Sequence, residues 1–297
     1  MGLSLAAALG STACVARAPA LTASSFGVPV DSFHTRVVAR GVSHAFARAP
    51  GGPWALHVLS VQLDRCTALE AAKGAPGAAG RRKTSDILRA RDSAVDVVAG
   101  VNADFFSLQT GVPTNALVMR GRVVTPPARQ PVFAIDSSRR PRIEVLRVAS
   151  GRDSFTVDDT ALARVSLAPV HPLEAVGGRP RLVRDSSVLA DVDSIGGAGF
   201  ATTRHPRTAV GIAGNGRRVL LVVVDGRQPA YSSGMTNREL ARLMLALGAH
   251  DALNLDGGGS TTMVVERAGG TLDVVNRPSD PAGERPVGNA LAVVRRC

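Results

Sequence analysis

The pattern of apolar and polar positions along this 297-residue chain predicts a protein built mainly of β-strands. Residues 53–64 alternate between apolar and polar side chains, which is typical of a strand with one buried face. Residues 94–107 form an apolar run that ends in a polar turn, which indicates a buried strand. Further strands are predicted at 116–118 with 123–124, at 132–136 and at 142–148.

Turn signals join several of these strands. Arg120-Gly121 separates two short apolar runs, and Asn215-Gly216 separates two long ones, so both pairs predict β-hairpins. A pair of glycines within residues 175–189 predicts a strand, a glycine turn and a second strand.

The clearest helix is predicted at 236–248. Thr236 or Asn237 is its expected N-cap, leucine and methionine recur on one face, and Gly248 ends it. Since many strands accompany few helices, the predicted fold is α+β, with mixed, largely antiparallel sheets in a single catalytic domain.

A second, shorter helix is predicted after a loop. Residues 71–85 are small, Gly-rich and basic, which favours an exposed loop. Residues 84–93 then offer an apolar face, with Thr84 or Ser85 as the expected cap.

The first 25 residues resemble a targeting segment, which leaves 26–297 as the catalytic domain. They are small and apolar and contain small-residue cleavage candidates, although a basic start is missing, and a buried N-terminal helix is the alternative. Removal of this segment leaves Cys66 and Cys297, an even pair that suits an oxidising compartment, and the sequence leaves open whether they pair. No later apolar run approaches the roughly 20 residues of a membrane span. We therefore expect a protein that is secreted or held in the periplasm or cell envelope.

The chain is strongly basic, but the distribution of its charges does not indicate nucleic-acid binding. The formal net charge is +11, and only two of the 35 basic residues are lysines. Such an excess favours anionic partners in general, although arginine scattered among alanine, glycine and valine is also typical of a composition bias. Aromatic residues make up 3% of the chain, and no basic stripe interleaves with them, which argues against a base-stacking surface.

Polar clusters follow several of the predicted apolar strands, where sites are commonly found in proteins. The clusters are NADFF at 102–106, RTA at 207–209, DGR at 225–227 and DGGGST at 256–261. Each cluster alone is a weak signal, because an Asp-Gly after a strand is usually a turn. Three consecutive glycines are stronger evidence, because a simple turn needs only one or two.

In order and spacing these segments resemble the phosphodiester glycosidase family. The resemblance covers roughly residues 98–294 and is most specific at 232–265, SSGMTNRELARLMLALGAHDALNLDGGGSTTMVV. It also includes VNADFF, AVGGRPRLVRD, RHPRTAVG, VVVDGRQ, VNRPSD and ERPVGNAL. One departure is Asp104, because members of the family usually have glycine near this position.

The resemblance implies hydrolysis of the anomeric C–O bond of a sugar 1-phosphodiester whose sugar is similar to N-acetylglucosamine. The leaving group is a phosphate monoester with a second pKa near 6, so it needs cations more than a strong general acid. Four arginines in matching motifs are the candidate phosphate ligands: Arg207, Arg227, Arg277 and Arg285. The loop after the last strand is expected to add backbone and hydroxyl donors from Gly257, Gly258, Gly259, Ser260 and Thr261.

The sugar side of the reaction requires a carboxylate near the anomeric carbon. Asp256 is the first candidate and Asp225 the second, and Asn102 is the expected hydrogen-bond donor to the substrate. The resemblance implies no cofactor. The partner is expected to be a phosphorylated carbohydrate or a cell-envelope glycan, with no nucleic acid and no stable membrane span.

Two other functional classes stay open. A metal-assisted phosphodiesterase would cleave the P–O bond and would use Asp225, Asp256 and Asn102 as hard oxygen ligands. A cell-envelope glycan-binding protein would keep the pocket without turnover. The natural sugar and aglycone, the stereochemical outcome and the oligomeric state also stay open.

Overall fold

Three antiparallel sheets contain the strands of the computed structural model, which describes residues 20–148, 155–159 and 164–297. The first sheet has eight strands. In order across that sheet they are β1 (Ser32–Ala39), β2 (Val42–Ala49), β3 (Trp54–Gln62), β16 (Arg218–Val224), β15 (Arg207–Ala213), β17 (Ala249–Asn254), β13 (Arg181–Arg184) and β14 (Ser187–Val188).

The other two sheets are smaller. The second consists of β11 (Arg164–Val170), β10 (Phe155–Asp159), β9 (Pro141–Val148), β8 (Pro131–Ile135), β12 (Glu174–Gly177), β6 (Leu117–Met119) and β7 (Arg122–Thr125). The third consists of β19 (Leu272–Val274), β18 (Met263–Glu266), β5 (Asp96–Asn102), β20 (Asn289–Arg295) and β4 (Thr67–Lys73).

The described α-helices are α1 (Thr84–Asp92), α2 (Ala198–Ala201) and α3 (Asn237–Ala246), and short 3₁₀ turns occur at Ala23–Phe26, Ala190–Asp193 and Gly258–Ser260. The predicted α+β class with largely antiparallel sheets is confirmed. The hairpins predicted at Arg120-Gly121 and Asn215-Gly216 are present as β6–β7 and β15–β16.

Helix α3 begins as predicted, whereas the prediction for α1 is wrong at its cap. The Thr236 hydroxyl accepts a hydrogen bond from the backbone N–H of Glu239, and the Glu239 carboxylate accepts one from the N–H of Thr236. In α1 the N-cap is Lys83, and the carboxylate of Glu284 accepts hydrogen bonds from the Ser85 N–H and hydroxyl. A residue almost 200 positions away therefore satisfies this helix end, which local sequence did not reveal.

The N-terminal third contains more strand than the sequence predicts. Strands β1 and β2 were not predicted, and the expected loop at 71–85 begins only after Lys73, because β4 continues to that residue. The predicted targeting segment lies outside the described residues up to position 19 and stays a prediction.

The main hydrophobic core lies where the three sheets face one another. Leu221 and Leu253 of the first sheet, Phe133 of the second and Val101 and Leu291 of the third belong to this single buried cluster. The opposite face of the first sheet is covered by α3, and the outer face of the third sheet is covered by α1. The first and third sheets thus lie close together in the interior, which brings their strand ends to one place.

A disulfide bond joins Cys66 to Cys297, so the pairing that the sequence left open is present. It connects the residue before β4 to the segment after β20, which is the neighbouring strand. In the described part of the chain, no helix is long and apolar enough to cross a membrane.

Candidate functional site

The glycine loop, residues 256–262, lies between the ends of the first and third sheets. It follows β17 and leads into β18. The backbone N–H of Asp256 donates to the carbonyl of Ala103, just after β5, at 2.9 Å. The N–H of Gly258 donates to the carbonyl of Pro206, just before β15, also at 2.9 Å. The loop is therefore held to both sheets through its backbone.

Close contacts explain the glycines of this loop. Gly258 has φ +62°, and a Cβ there would lie 3.1 Å from Nη2 of Arg227. A Cβ on Gly259 would lie 2.2 Å from Oδ1 of Asp280, which leaves no room for a side chain. A Cβ on Gly257 would lie 2.6 Å from the Pro206 carbonyl. These glycines allow charged side chains and neighbouring backbone to approach closely.

The loop's N–H groups are largely used within the protein. Those of Gly258, Ser260 and Thr261 donate to backbone carbonyls, and that of Gly257 donates to Oδ1 of Asp256 at 2.9 Å. The predicted donation of these N–H groups to substrate thus competes with existing hydrogen bonds. These contacts indicate that the glycines are needed because neighbouring side chains and backbone approach the loop closely.

Asp256 is partly exposed at the start of this loop. Its poorly solvated position raises the pKa of its carboxyl to about 6. The nearby Ser260 hydroxyl, the Gly257 N–H and the guanidinium groups of Arg285 and Arg179 oppose this rise. The carboxyl is consequently poised to exchange a proton near neutral pH.

Asp225 follows β16, and its side chain has no exposed surface. Its Oδ1 accepts hydrogen bonds from Nδ2 of Asn276 and the N–H of Arg277, both at 2.9 Å. Its Oδ2 lies 3.7 Å from Nε2 of His57. These contacts fit a carboxylate that positions the backbone of the Arg277 loop.

Asn102, at the end of β5, is fully buried and connects the two sheets. Its Nδ2 donates to the carbonyl of Asp256 at 2.7 Å. Its Oδ1 accepts from the Thr208 hydroxyl at 2.8 Å and from the Thr262 N–H at 3.1 Å. The side chain predicted to bind substrate therefore bonds to three segments of the protein itself.

Arg207 is the largest fully buried side chain, with 1% of its surface exposed. Its Nε donates to the carbonyl of Met235 at 2.8 Å, and its Nη2 donates to that of Phe200 at 2.6 Å. Burial lowers the pKa of Arg207 to about 10, and the nearby Arg227 contributes to this change. Its guanidinium thus braces the segments around α2 and α3.

The other predicted arginines are more accessible. Arg227 and Arg277 are exposed and, among the described residues, pair with no carboxylate. Arg227 lies against Gly258, and Arg277 lies over the ring of Tyr231 at 5.1 Å. Arg285 is half-buried and makes a two-point ion pair with Asp280, at 2.9 and 3.1 Å.

Several buried polar atoms around the loop have no hydrogen-bond partner. They are the hydroxyls of Thr261 and Thr262, the Nδ2 of Asn289 and the Oδ1 of Asn254. Buried polar atoms are normally hydrogen-bonded, so a cluster of unpaired ones indicates a place where a polar ligand or water completes the bonding.

Two residues of this region were not predicted as site residues. Arg179 was noticed only within a matching motif, yet its charge acts on the carboxyls of both Asp104 and Asp256. Tyr231 lies between the guanidinium groups of Arg48 and Arg277, whose central carbons are 5.0 and 5.1 Å from its ring. The RP pair at 179–180 and the YSSG segment were the available signals, but neither gives a role by itself.

Two of the three oxygen ligands of the metal-dependent alternative are engaged in hydrogen bonds within the protein. Asp225 accepts from Asn276 and Arg277, and the Oδ1 of Asn102 accepts two hydrogen bonds. Within the described residues, no group of three or more His, Cys, Asp or Glu side chains is placed to hold a metal ion.

Comparison with known proteins places this geometry in a family. The family described as phosphodiester glycosidase matches residues 96–294, more than half of the chain. The chain belongs to the phosphodiester glycosidase family. The glycine loop and the four predicted arginines, Arg207, Arg227, Arg277 and Arg285, lie within the matched residues.

Solved structures share the fold of this chain. A hypothetical protein from Synechocystis has a TM-score of 0.66 and 17% identity, covering 89% of this chain and 64% of that chain. The catalytic domain of zebrafish N-acetylglucosamine-1-phosphodiester alpha-N-acetylglucosaminidase, auto-inhibited by its pro-peptide, has a TM-score of 0.62 and 18% identity. That match covers 90% of this chain and 85% of the zebrafish chain. At such identities the likeness shows the fold.

A shorter match is found in Bacillus subtilis (strain 168). The SPbeta prophage-derived uncharacterized protein YomE is 43% identical over 63 residues, which are 21% of this chain and 10% of that protein. The match thus spans about a tenth of that relative.

Proposed function

We propose that this protein hydrolyses the anomeric C–O bond of a sugar 1-phosphodiester, releasing a free sugar and a phosphate monoester. The observation that carries the proposal is Asp256, a partly exposed carboxyl with a raised pKa that lies beside guanidinium groups. A carboxylate near an anomeric carbon and cations near a phosphate are the two requirements of this reaction. The family match and the name of the zebrafish relative support an N-acetylglucosamine-like sugar.

Asp256 acts on the sugar side. Either it removes a proton from water as the water oxygen bonds to the anomeric carbon, or it attacks that carbon directly and water then hydrolyses the resulting glycosyl ester to release the sugar. In both cases the electron pair of the breaking C–O bond goes to the phosphate oxygen. The leaving phosphate monoester is already stable as an anion near neutral pH, so the reaction does not depend on a strong acid.

The exposed arginines act on the phosphate side. Arg227 lies against Gly258, and its guanidinium has no carboxylate partner among the described residues, so it is available for a two-point contact with phosphate oxygens. Arg285 brings further positive charge to Asp256, although Asp280 neutralises part of it. The hydroxyls of Ser260, beside Asp256, and of Thr261 supply additional donors.

The buried members of the predicted set position these groups. Asn102 holds the backbone of Asp256, Asp225 holds the backbone of Arg277, and Arg207 braces the segment before α3. In this assignment Asp225 supports the site without reacting with the sugar. The disulfide fits our expectation of a secreted or cell-envelope protein that meets a phosphorylated glycan in an oxidising compartment.

The test is to incubate the protein with N-acetylglucosamine-1-phosphoryl methyl mannoside in ¹⁸O-labelled water and to analyse both products by mass spectrometry. Label in the released sugar is the expected result and means cleavage at the anomeric carbon. Label in the phosphate would replace the proposal with P–O cleavage by a phosphodiesterase. Tight binding of the compound without any product would indicate a glycan-binding protein.

A further inference from the structure

Asp104 is a buried carboxyl in the segment that contacts the backbone of Asp256. It follows β5 by two residues, and only 2% of its surface is exposed. Its neighbour Ala103 accepts the backbone hydrogen bond of Asp256 at 2.9 Å, so a single backbone hydrogen bond brings the two acidic segments together. The two carboxyls interact electrostatically.

The carboxyl of Asp104 is tightly enclosed. Its Oδ2 accepts from the N–H of Asn115 at 3.0 Å, and its backbone N–H donates to Oδ1 of Asn289 at 2.7 Å. A Cβ on Gly177 would lie 2.6 Å from the same Oδ2, so the glycine lets the backbone after β12 close over the carboxyl. The Nδ2 of Asn289 is buried close by without a partner.

The positive charge of Arg179 acts on the carboxyls of both Asp104 and Asp256. Its backbone N–H and carbonyl bond to Asn254 at 2.8 and 2.7 Å, and its guanidinium lies over the ring of Phe105 at 5.0 Å. It therefore bridges the segment before Asp256 and the segment after Asp104. Among the described residues, Arg179 and Asp256 are the charged groups that act on Asp104.

The charges of the site favour one proton on this pair. Two carboxyls that share one cation in a poorly solvated place do not both ionise readily. Burial raises the pKa of Asp104 to about 7, and the charge of Asp256 adds to the rise, whereas the N–H groups of Asn115 and Phe105 and the charge of Arg179 oppose it.

We propose that Asp104 is a functional carboxyl of this site that carries the proton of the Asp104–Asp256 pair, and that the substrate binds only while Asp104 is neutral. The proposal rests on the proposed function, because the substrate it concerns is an anionic phosphodiester. Asp104 acts through the charge of the site and is a positioning residue.

The local charge balance explains the requirement. With Asp104 neutral, four accessible guanidinium groups accompany three carboxylates, which leaves one positive charge for a phosphodiester that carries one negative charge. The guanidinium groups are those of Arg179, Arg227, Arg277 and Arg285, and the carboxylates are those of Asp225, Asp256 and Asp280. Ionisation of Asp104 cancels this excess, and the attraction for the substrate is lost.

The first experiment compares pH profiles of kcat/KM for the same methyl mannoside substrate in the wild type, Asp104→Asn and Asp273→Asn. Asparagine keeps the acceptor for Asn115 and stays neutral, and Asp273 is a surface carboxyl of β19 paired with Arg267. We expect the wild type to lose kcat/KM above about pH 7 through a rise in KM. We expect Asp104→Asn to lose this alkaline limb and to exceed the wild type by about tenfold at pH 8.5.

Asp273→Asn is expected to follow the wild type. An unchanged alkaline limb in Asp104→Asn would overturn the proposal. So would a folded Asp104→Asn protein that is inactive at every pH, because Asp104 would then react directly.

The second experiment does not depend on activity. The carboxyl carbons of aspartate are labelled with ¹³C, and their titration is followed by NMR in the wild type and in Asp256→Asn. We expect Asp104 to titrate at lower pH in Asp256→Asn, because the like charge is gone. An unchanged titration of Asp104 would reject the pair even if Asp104→Asn failed to fold. If the wild type cleaves no sugar phosphodiester while this shift is seen, the proposed function fails and the proton-sharing pair stands.

Discussion

The Nδ2 of Asn102 donates to the backbone carbonyl of Asp256 at 2.7 Å, although 154 positions separate the two residues. Through this hydrogen bond the end of β5 fixes the start of the glycine loop, and the same asparagine holds Thr208 and Thr262. The orientation of the Asp256 carboxyl thus depends on the first and third sheets being packed together.

Replacement of Asp256 by asparagine is expected to lower the rate of sugar release by about 100-fold or more, because the amide neither accepts a proton nor attacks the anomeric carbon. Release of N-acetylglucosamine from the methyl mannoside substrate measures this rate. Asp273→Asn serves as the matched control. Activity of Asp256→Asn within about threefold of the parent would remove the catalytic assignment.

Arg227→Gln is expected to raise KM by about tenfold to 100-fold, with little change in stability, because the exposed guanidinium is assigned to the phosphate. Steady-state kinetics and urea unfolding distinguish the two effects. Arg242→Gln, an exposed arginine of α3, is the control. Unaltered kinetics in Arg227→Gln would show that this arginine does not contact the substrate.

Arg207→Lys is expected to lower the free energy of unfolding by about 2–4 kcal/mol, because lysine cannot replace the forked hydrogen bonds to Met235 and Phe200. Activity per folded molecule should remain within about threefold. Urea unfolding combined with kinetics makes the comparison. Full stability with a large rise in KM would instead return Arg207 to the phosphate site that the sequence predicted.

The free energy of unfolding is expected to fall as the pH rises from about 4 to about 7, because of Asp104. Its pKa rises from 3.8 to about 7 on folding, so the folded state holds a proton that the unfolded state has released over this interval. Asp104→Asn removes this contribution, on the order of a few kcal/mol, and should show a smaller loss than the wild type. Urea unfolding of both proteins at pH 4.5 and pH 7.5 provides the measurement, and equal losses would contradict the raised pKa.

Gly259→Ala is expected to reduce both stability and kcat/KM, because the new methyl group would overlap Asp280 and Arg285. Overpacking of this kind typically costs about 1–3 kcal/mol. Gly51→Ala is the control, because a Cβ there meets no atom within 4 Å. Thermal unfolding and kinetics of both variants test the prediction. Wild-type behaviour of Gly259→Ala would mean that the loop has room that the structure does not show.

Local signals predicted the parts of the fold that depend on neighbouring residues. The Asn215-Gly216 turn and the Thr236 cap act within a few positions of themselves, and both were recognised. The cap of α1 was missed because Glu284 supplies it from another part of the chain. Strands with mixed polarity at the edge of the first sheet, such as β1, also gave no clear periodicity.

The roles of the site residues depend on burial, which the motifs did not disclose. Arg207 and Arg227 both looked like phosphate ligands, yet one is enclosed by carbonyls and the other is exposed. Asp225 and Asp256 both follow apolar strands, but the side chain of Asp225 has no exposed surface and holds the Arg277 backbone, whereas Asp256 is partly exposed. The sequence could therefore propose the members of the site but not separate the reacting groups from the supporting ones.

Strand β20 lies between β4 and β5 in the third sheet, although it begins 216 positions after the end of β4 and 187 positions after the end of β5. During synthesis, β4 and β5 are made early, but they do not pair with each other. The edges of these strands that β20 joins therefore stay unpaired until β20 is made. Asn289, which holds the backbone of Asp104, arrives on that same strand. A chain in which β20 has not yet been made thus lacks the side chain that holds the Asp104 segment in place.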